Sequence, residues 1–408
     1  VPSALPPGDP VPFDGSLPMQ AASGSATRKF GVYVHVPYCR VRCGYCDFNT
    51  YTAVDLGTTN RSSYAGEAMA EMRFAGEVLD RAGVAARQAS TVFFGGGTPT
   101  LLPASDLVKM LEQIKTTWGL APGAEVTTEA NPDSVDLAYL TELKAAGFTR
   151  VSFGMQSAVP EVLAVLDRTH KPERVPQVVA WAKQVGLDVS LDLIYGAPGE
   201  TVQQWRVSVA AALACEPDHI SAYALIVEPG TKLAAQIKRG VYPMPDDDTH
   251  AEMYQYADEC FSAAGYQWYE ISNWARGENN RSKHNLSYWE GADWWGVGPG
   301  AHSHVGGVRW WNVKHPRAYA DRIAAGGTPA QAREVLDEET RRTERLLLET
   351  RIVTGLDTAV LTPDERRHVP ELIAAGLVDP VIAIKQRRLV PTLRGRLLAD
   401  TVIHTLLK

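Results

Sequence analysis

The chain has 408 residues, 45% of them hydrophobic and 21% charged, with a formal net charge of −7. That is enough for one large α/β domain plus an accessory one, with no dense basic field of the kind that binds nucleic acid. No run of about 18 apolar residues suits a membrane span, so no transmembrane segment is expected, and contact with a membrane surface is left open. Five cysteines, three of them within eight residues, argue against a disulfide framework and for a metal site in a reducing compartment, by default the cytoplasm.

Residues 1–28 are rich in Pro, Gly, Ser and Ala without the basic and apolar blocks of a secretory signal, and read as a flexible tail. Short β-rich runs then alternate with helical stretches. The runs are FGVYVHV from Phe30, TVFF from Thr91, EVTTE from Glu125, RVSF from Arg150, DVSLDLI from Asp188 and HISAYAL from His219. The spacing after the first suits strand–helix units, and LAYLTELKAA before Gly147 shows a helical period with its stop signal. Six units predict an α/β fold, a partial parallel (β/α) barrel over 29–240. A doubly wound sheet also accommodates them, but five successive strand ends each carry an unusual motif, HVPYCRVRC, GGGTPT, ANPDS, GMQS and YGAPGET. That placement favours a barrel, whose chemistry sits at the C-terminal ends of the strands.

From 241 to 330 seven tryptophans and many glycines suggest an aromatic-rich linking region. From 331 to 408 the chain turns helical, with a short apolar run at Leu389–Pro391 that suits a hairpin. The order suggests a small, mainly helical, winged-helix-like C-terminal domain; a plain helical cap is the other reading. The basic cluster Lys385–Arg388 is short and reads as a solvated face.

Cys39, Cys43 and Cys46 are spaced C-x3-C-x2-C in a loop after the first strand. A structural zinc site wants four protein ligands, and Cys215 and Cys260 are distant in sequence. Three thiolates suit a 4Fe–4S cluster with one iron left open, the iron that the amino and carboxylate groups of S-adenosylmethionine chelate. Zinc and plain buried thiols are the alternatives. Tyr45 suits an aromatic wall for the adenine, or simple loop packing. Gly95–Gly97 with Thr98 and Pro99 form a side-chain-free turn whose backbone amides can approach the cofactor, or a tight strand–helix turn. Glu129, Gln156, Arg168 and Asp192, at later strand ends, suit its ribose, amine or carboxylate; a salt-bridged rim is the other role for the three charged ones.

YVHVPYCRVRCGYCDF, FFGGGTPT, TTEANPDS, SFGMQS, LDLIYGAPGET and SAYALIVEPGT resemble the oxygen-independent coproporphyrinogen III oxidase group of radical SAM proteins over roughly 30–400. The oxidases carry a fourth cysteine two residues after the third; here that position is Phe48. Their N-terminal extension is not recognisable either, and His284-Asn285-Leu286-Ser287-Tyr288-Trp289 matches the HNxxYW signature of the heme chaperone (HemW) branch. The resemblance implies a protein that binds heme and passes it to apo-hemoproteins of the respiratory chain, with a homodimer when cluster and cofactor are present. It implies that Tyr33, Gly96 and Glu129 contact S-adenosylmethionine, and that Gly97, Thr98, Gln156, Arg168, Asp192 and Ala224 match positions that hold a second molecule of it in the oxidases. An imidazole is a common axial ligand and a porphyrin favours aromatic walls, so His284, Tyr288 and Trp289 are the candidate heme site; a hydrophobic core between barrel and C-terminal domain is the alternative. Trp294, Trp295, His302 and His304 follow closely. Two enzymes compete with the chaperone, for which no catalytic residue is expected: a coproporphyrinogen III oxidase forming protoporphyrinogen IX, against which Phe48 speaks, and a radical enzyme with an unrelated substrate.

Overall fold

The structure is a computed structural model describing residues 5–52 and 61–408. Six parallel strands follow one another in sheet order: β1 (Phe30–Val36), β2 (Ala89–Gly96), β3 (Leu120–Ala130), β4 (Arg150–Gln156), β5 (Asp188–Tyr195) and β6 (His219–Ala224). The helices between them are α1 (Tyr64–Arg81), α2 (Ala104–Thr117), α3 (Leu137–Ala146), α4 (Pro160–Val165), α5 (Arg174–Gln184) and α6 (Val202–Ala214). Local signals set their ends: α3 stops at Gly147, left-handed at φ +105°, and α6 starts in a Thr201–Gln204 capping box.

Alternation along each strand separates two environments. Val32, Val34, Val36, Val92, Phe94, Val126, Val151, Phe153, Val189, Leu191, Leu193, Ile220 and Ala222 are buried in one hydrophobic core with Met72, Leu107, Leu111, Val178 and Trp205 of the covering helices. The opposite parity carries Tyr33, Phe93, Thr127, Glu129, Arg150, Ser152, Ser190, Asp192, His219 and Ser221, which surround a cavity of about 480 Å³. The sheet therefore curves around a chamber lined by polar and aromatic side chains, where an ordinary (β/α) barrel is filled by branched apolar side chains.

After α7 (Lys232–Lys238) and α8 (Asp247–Ala263), the residues expected to link two domains extend the same sheet at both edges. β7 (Gln267–Glu270) and β8 (Asn273–Ala275) form an antiparallel pair against β6. The helix α9 (Lys283–Trp289) follows, and then β9 (Asp293–Val297) pairs parallel with β1 as a seventh parallel strand. β10 (His302–Val305), β11 (Val308–Asn312) and β12 (Ala330–Val335), with α10 (Pro316–Ala324) before β12, continue outward antiparallel.

The described part of the segment expected to be a free tail, 5–28, is docked rather than loose. Asp9 bridges to Arg333 of β12, Ala21 is fully buried, and Arg28 donates to the buried Asp293 carboxylate at 2.9 Å. The Arg28 partner lies 265 residues downstream and that of Asp9 farther still, beyond what composition reveals; residues 1–4 of that segment lie outside the described residues. The C-terminal part, beginning with α11 (Glu338–Glu349), has its own small core around Leu346, Leu372 and Leu389. Its two strands, Leu356–Asp357 and Arg388–Leu389, pair with each other, so the apolar run near Leu389 finds its partner upstream rather than in a local hairpin. Among the described residues no helix is long and apolar enough to cross a membrane.

One buried carboxylate ties the outer strands to the barrel. Glu71, fully buried in α1, accepts from the Gly298 amide at 2.7 Å, the Tyr319 hydroxyl at 2.6 Å and the Asn312 side-chain amide at 2.8 Å. Glu71→Ala leaves the Gly298 amide and the Tyr319 hydroxyl without this acceptor, while the Asn312 amide keeps the Gly298 carbonyl at 3.0 Å, and we expect a loss of about 3 kcal/mol, measurable by chemical denaturation.

Candidate functional site

The cysteine loop leaves β1 at Pro37 and returns at Tyr51, closed by the Tyr51 amide donating to the Pro37 carbonyl (2.7 Å) and the Cys39 amide to the Tyr51 carbonyl (3.0 Å). A turn in which the Cys46 amide donates to the Cys43 carbonyl (3.2 Å) brings the last two cysteines onto one side. All three line a cavity of about 150 Å³ together with Tyr45, Gly96, Gly97, Thr98, Glu129, Gln156, Arg168 and Asp192. Burial pushes the Cys39 thiol up to about 12, with the neighbouring Cys46 and Cys43 adding to it, so the thiolate needs a metal partner to exist there. Among the described residues no three His, Cys, Asp or Glu side chains converge on one ion position. A cubane asks for no such convergence, because each thiolate takes a different corner iron.

The glycine turn packs against that loop. A Cβ on Gly97 would lie 2.5 Å from the Tyr38 carbonyl oxygen, and Gly96 combines φ +108° with the His35 ring 2.6 Å from where its Cβ would be. The amides of Gly96, Gly97 and Thr98 donate to the Glu129 carboxylate, the Val36 carbonyl and the Tyr38 carbonyl. They are committed within the protein, and the glycines at 96 and 97 allow close approach of the turn to His35 of β1 and to the Tyr38 backbone. Glu129 is held up at about 8, first by burial and then by the Asp192 charge; Asp192 accepts from the Ser152 hydroxyl at 2.8 Å. Arg168 donates to the Asn131 side chain (2.7 Å) and the Gly154 carbonyl (2.9 Å), with its other terminal nitrogen 3.6 Å from the Cys43 sulfur. Gln156 sits at φ +60° beside the register shift that ends β4, a strained conformation of the kind found where side chains are aimed at ligands.

This cavity adjoins the larger one, and Tyr45, Cys46, Phe48, Glu129, Ser152, Gln156 and Asp192 line both. Tyr33, Ala224, His284 and Tyr288 line the larger only. Its far end is closed by α9, whose first amides, Lys283 and His284, donate to the two Glu125 carboxylate oxygens at 3.0 and 3.1 Å; Arg150 flanks that carboxylate at 3.2 Å. His284 is 1% exposed and stacked on Phe93 with ring centroids 5.1 Å apart. Its Nδ1 shares a hydrogen bond with the Thr91 hydroxyl (2.9 Å) and its Nε2 one with the Tyr288 hydroxyl (2.8 Å). Burial alone holds it down at about 3, so it is neutral at physiological pH. Trp289 is not brought to either cavity; its indole reaches the Glu270 carboxyl on β7. His304 lies on the outer strand β10 with Nδ1 near the Ala292 carbonyl (3.1 Å) and Nε2 accepting from the Gly307 amide (3.2 Å), and His302, exposed, stands beside Trp311.

A profile of the radical SAM superfamily matches residues 33–211. The heme chaperone HemW of Mycobacterium tuberculosis (strain ATCC 25618 / H37Rv) is 46% identical over 399 residues, which cover 98% of each chain. The heme chaperone HemW of Bacillus subtilis (strain 168) is 34% identical over 328 residues, 79% of this chain and 84% of the relative. The chain belongs to the heme chaperone branch of the radical SAM superfamily. A solved structure of Escherichia coli coproporphyrinogen III oxidase (HemN), described as a radical SAM enzyme, superposes with a TM-score of 0.78 at 22% identity, covering 95% of this chain and 92% of that one; at that identity the likeness is one of fold.

Within this radical SAM site, His35 and Asn131 escaped the motif-based reading. His35 shares hydrogen bonds with the Tyr33 hydroxyl and the Asn49 carbonyl, both at 2.9 Å, and so ties the chamber wall to the returning cysteine loop. The signal was available, since His35 has the same strand parity as Tyr33.

Glu129 also yields a pH test. Its folded-state value of about 8 lies above the ordinary 4.5, so the folded protein holds a proton the unfolded chain releases, and stability falls as pH rises between those values. The melting temperature of the metal-free wild type should fall more from pH 6.5 to 8 than that of Glu129→Gln; equal slopes would show that Glu129 ionises normally.

Proposed function

We propose that the chain is a heme chaperone that carries a 4Fe–4S cluster and S-adenosylmethionine, binds heme and transfers it to apo-hemoproteins. The observation that carries the reading is the near full-length similarity to proteins named heme chaperones. It is supported by the joining of the cysteine-lined cavity to a larger chamber through shared walls. The residues fit the cofactors: Cys39, Cys43 and Cys46 would hold the cluster, which together with S-adenosylmethionine supplies one-electron chemistry. Glu129, Gln156, Arg168 and Asp192, with Tyr33, Tyr45, Gly96, Gly97, Thr98 and Ala224, would surround the S-adenosylmethionine. Glu129 and Asp192 are a half-buried pair of acids suited to an ammonium or sulfonium charge, and Arg168 to a carboxylate.

His284 and Tyr288 would belong to the heme site as lining of the same chamber, with Trp289 behind them fixing α9 to β7. For the imidazole to ligate iron, one of its two hydrogen bonds must open, and the Tyr288 bond opens without disturbing the strand that carries Thr91. The five cysteines are all free, in keeping with a reducing compartment such as the cytoplasm. The clients would be apo-hemoproteins of the respiratory chain, reached from a homodimer of the loaded protein, either in solution or at a membrane surface.

The test is anaerobic reconstitution followed by hemin titration and by mixing with an apo-hemoprotein, with coproporphyrinogen III assayed in parallel. We expect a saturable Soret band, gain of the client's spectrum and no vinyl-bearing product. Turnover of coproporphyrinogen III at enzymatic rates would make the oxidase reading the better one. His284→Ala should weaken heme binding by about tenfold or change its spectrum; an unchanged affinity and spectrum would take His284 out of the site.

A further inference from the structure

The mouth of the larger chamber carries exposed apolar side chains. Phe48 is 58% exposed, Ile226 68% and Tyr223 41%, and all three line that chamber, Phe48 also lining the cysteine cavity. Deeper in, the lining mixes hydroxyls and the Glu129 and Asp192 carboxyls with the rings of Tyr33, Phe93, His284 and Tyr288. A flat apolar macrocycle that reaches the floor rings finds further apolar contacts at the mouth. Its carboxylates lose hydration beside the half-buried Glu129 and Asp192 carboxyls and keep it facing outward.

Cations stand on that side. The Arg42 guanidinium donates to the Phe48 carbonyl at 3.3 Å. Lys314, whose carbonyl takes the Asn49 side-chain amide at 2.9 Å, lies within electrostatic reach of Arg42 and Asp47. Asp47 and Glu228 line the chamber itself, while Arg42 and Lys314 stand just outside that lining on the Phe48 side.

We propose that Phe48 is the platform on which one face of the heme macrocycle rests at the chamber mouth, with Arg42 and Lys314 receiving its propionates. The inference rests on the heme-binding reading above and adds where the ring lies and which way its carboxylates point. On this reading the side chain at position 48 contributes an aromatic surface where a thiol would offer none.

The test uses the full chain, reconstituted anaerobically and titrated with hemin and with hemin dimethyl ester, whose propionates carry no charge. Phe48→Ala should weaken binding of both by about tenfold, with Phe48→Trp close to wild type and iron content and cluster absorbance unchanged. Arg42→Gln and Lys314→Gln should weaken hemin several-fold and leave the diester unaffected. Phe48→Ala binding hemin as tightly as wild type, or the charge variants affecting hemin and diester equally, would overturn the proposal. If Phe48→Ala loses its cluster, the Phe48→Trp and diester comparisons decide alone. Wild type that binds no heme would instead strike down the reading beneath it.

Discussion

The chain is organised around a reversal of the usual strand alternation. Six consecutive parallel strands place their Val, Leu, Ile and Phe residues on the helix side and their Thr, Ser, Arg, Glu, Asp and His residues on the inside. The hydrophobic effect can then drive only the outer layer together. Inside, each polar side chain must be satisfied by a neighbour, by water or by a ligand, so the strands cannot collapse onto a packed barrel core. Their C-terminal ends stay open to the cysteine loop, while their N-terminal ends have to be closed by something that can itself be polar.

That closure falls to α9, and the way it is held explains the composition of its segment. A helix laid across strand starts brings unpaired amides to a buried surface, where they need acceptors. Glu125 supplies both of its oxygens to them, Arg150 balances the charge at 3.2 Å, and the Tyr269 hydroxyl accepts the Ser282 amide at 3.2 Å. The His284 ring is then clamped between the Thr91 and Tyr288 hydroxyls against Phe93. The residues of the signature thus serve two faces. His284 and Tyr288 form the chamber floor, while Trp289 anchors the helix to β7 through Glu270. A motif of this kind is under structural demand whatever ligand the chamber takes, which is why its presence alone does not identify an iron ligand.

The parts of this architecture legible in the sequence were those with local causes. Period-two apolar runs marked β1 to β6, Gly147 marked the end of α3, and the tight C-x3-C-x2-C spacing marked the loop that the structure folds into one cavity wall. What was not legible depends on partners far away in the chain. Asp293–Val297 looks like any aromatic-rich stretch, and only its pairing with Phe30–Val34 makes it a seventh parallel strand. The docking of the N-terminal segment likewise rests on Arg333 and Asp293, which no local pattern points to. The glycine turn is visible as a motif, but the partners of its amides, Val36, Tyr38 and Glu129, are contacts that exist only once β1, β2 and β3 lie side by side.

The shared wall between the two cavities carries the most functional weight. Seven residues face both spaces, among them Cys46, Glu129 and Asp192, so occupancy of one space alters the charge and solvation felt in the other. A cation bound beside Glu129 and Asp192 offsets two acids that burial already pushes toward their neutral forms. The charge that an anionic guest in the larger chamber meets at this wall therefore depends on whether that cation is present. Coupling of this kind is reciprocal: whatever the cofactor gains from the guest's presence, the guest gains equally from the cofactor's. A protein that must hold its cargo firmly and then release it can use such a wall without moving a domain, because changing the charge on one side is enough to change the affinity on the other.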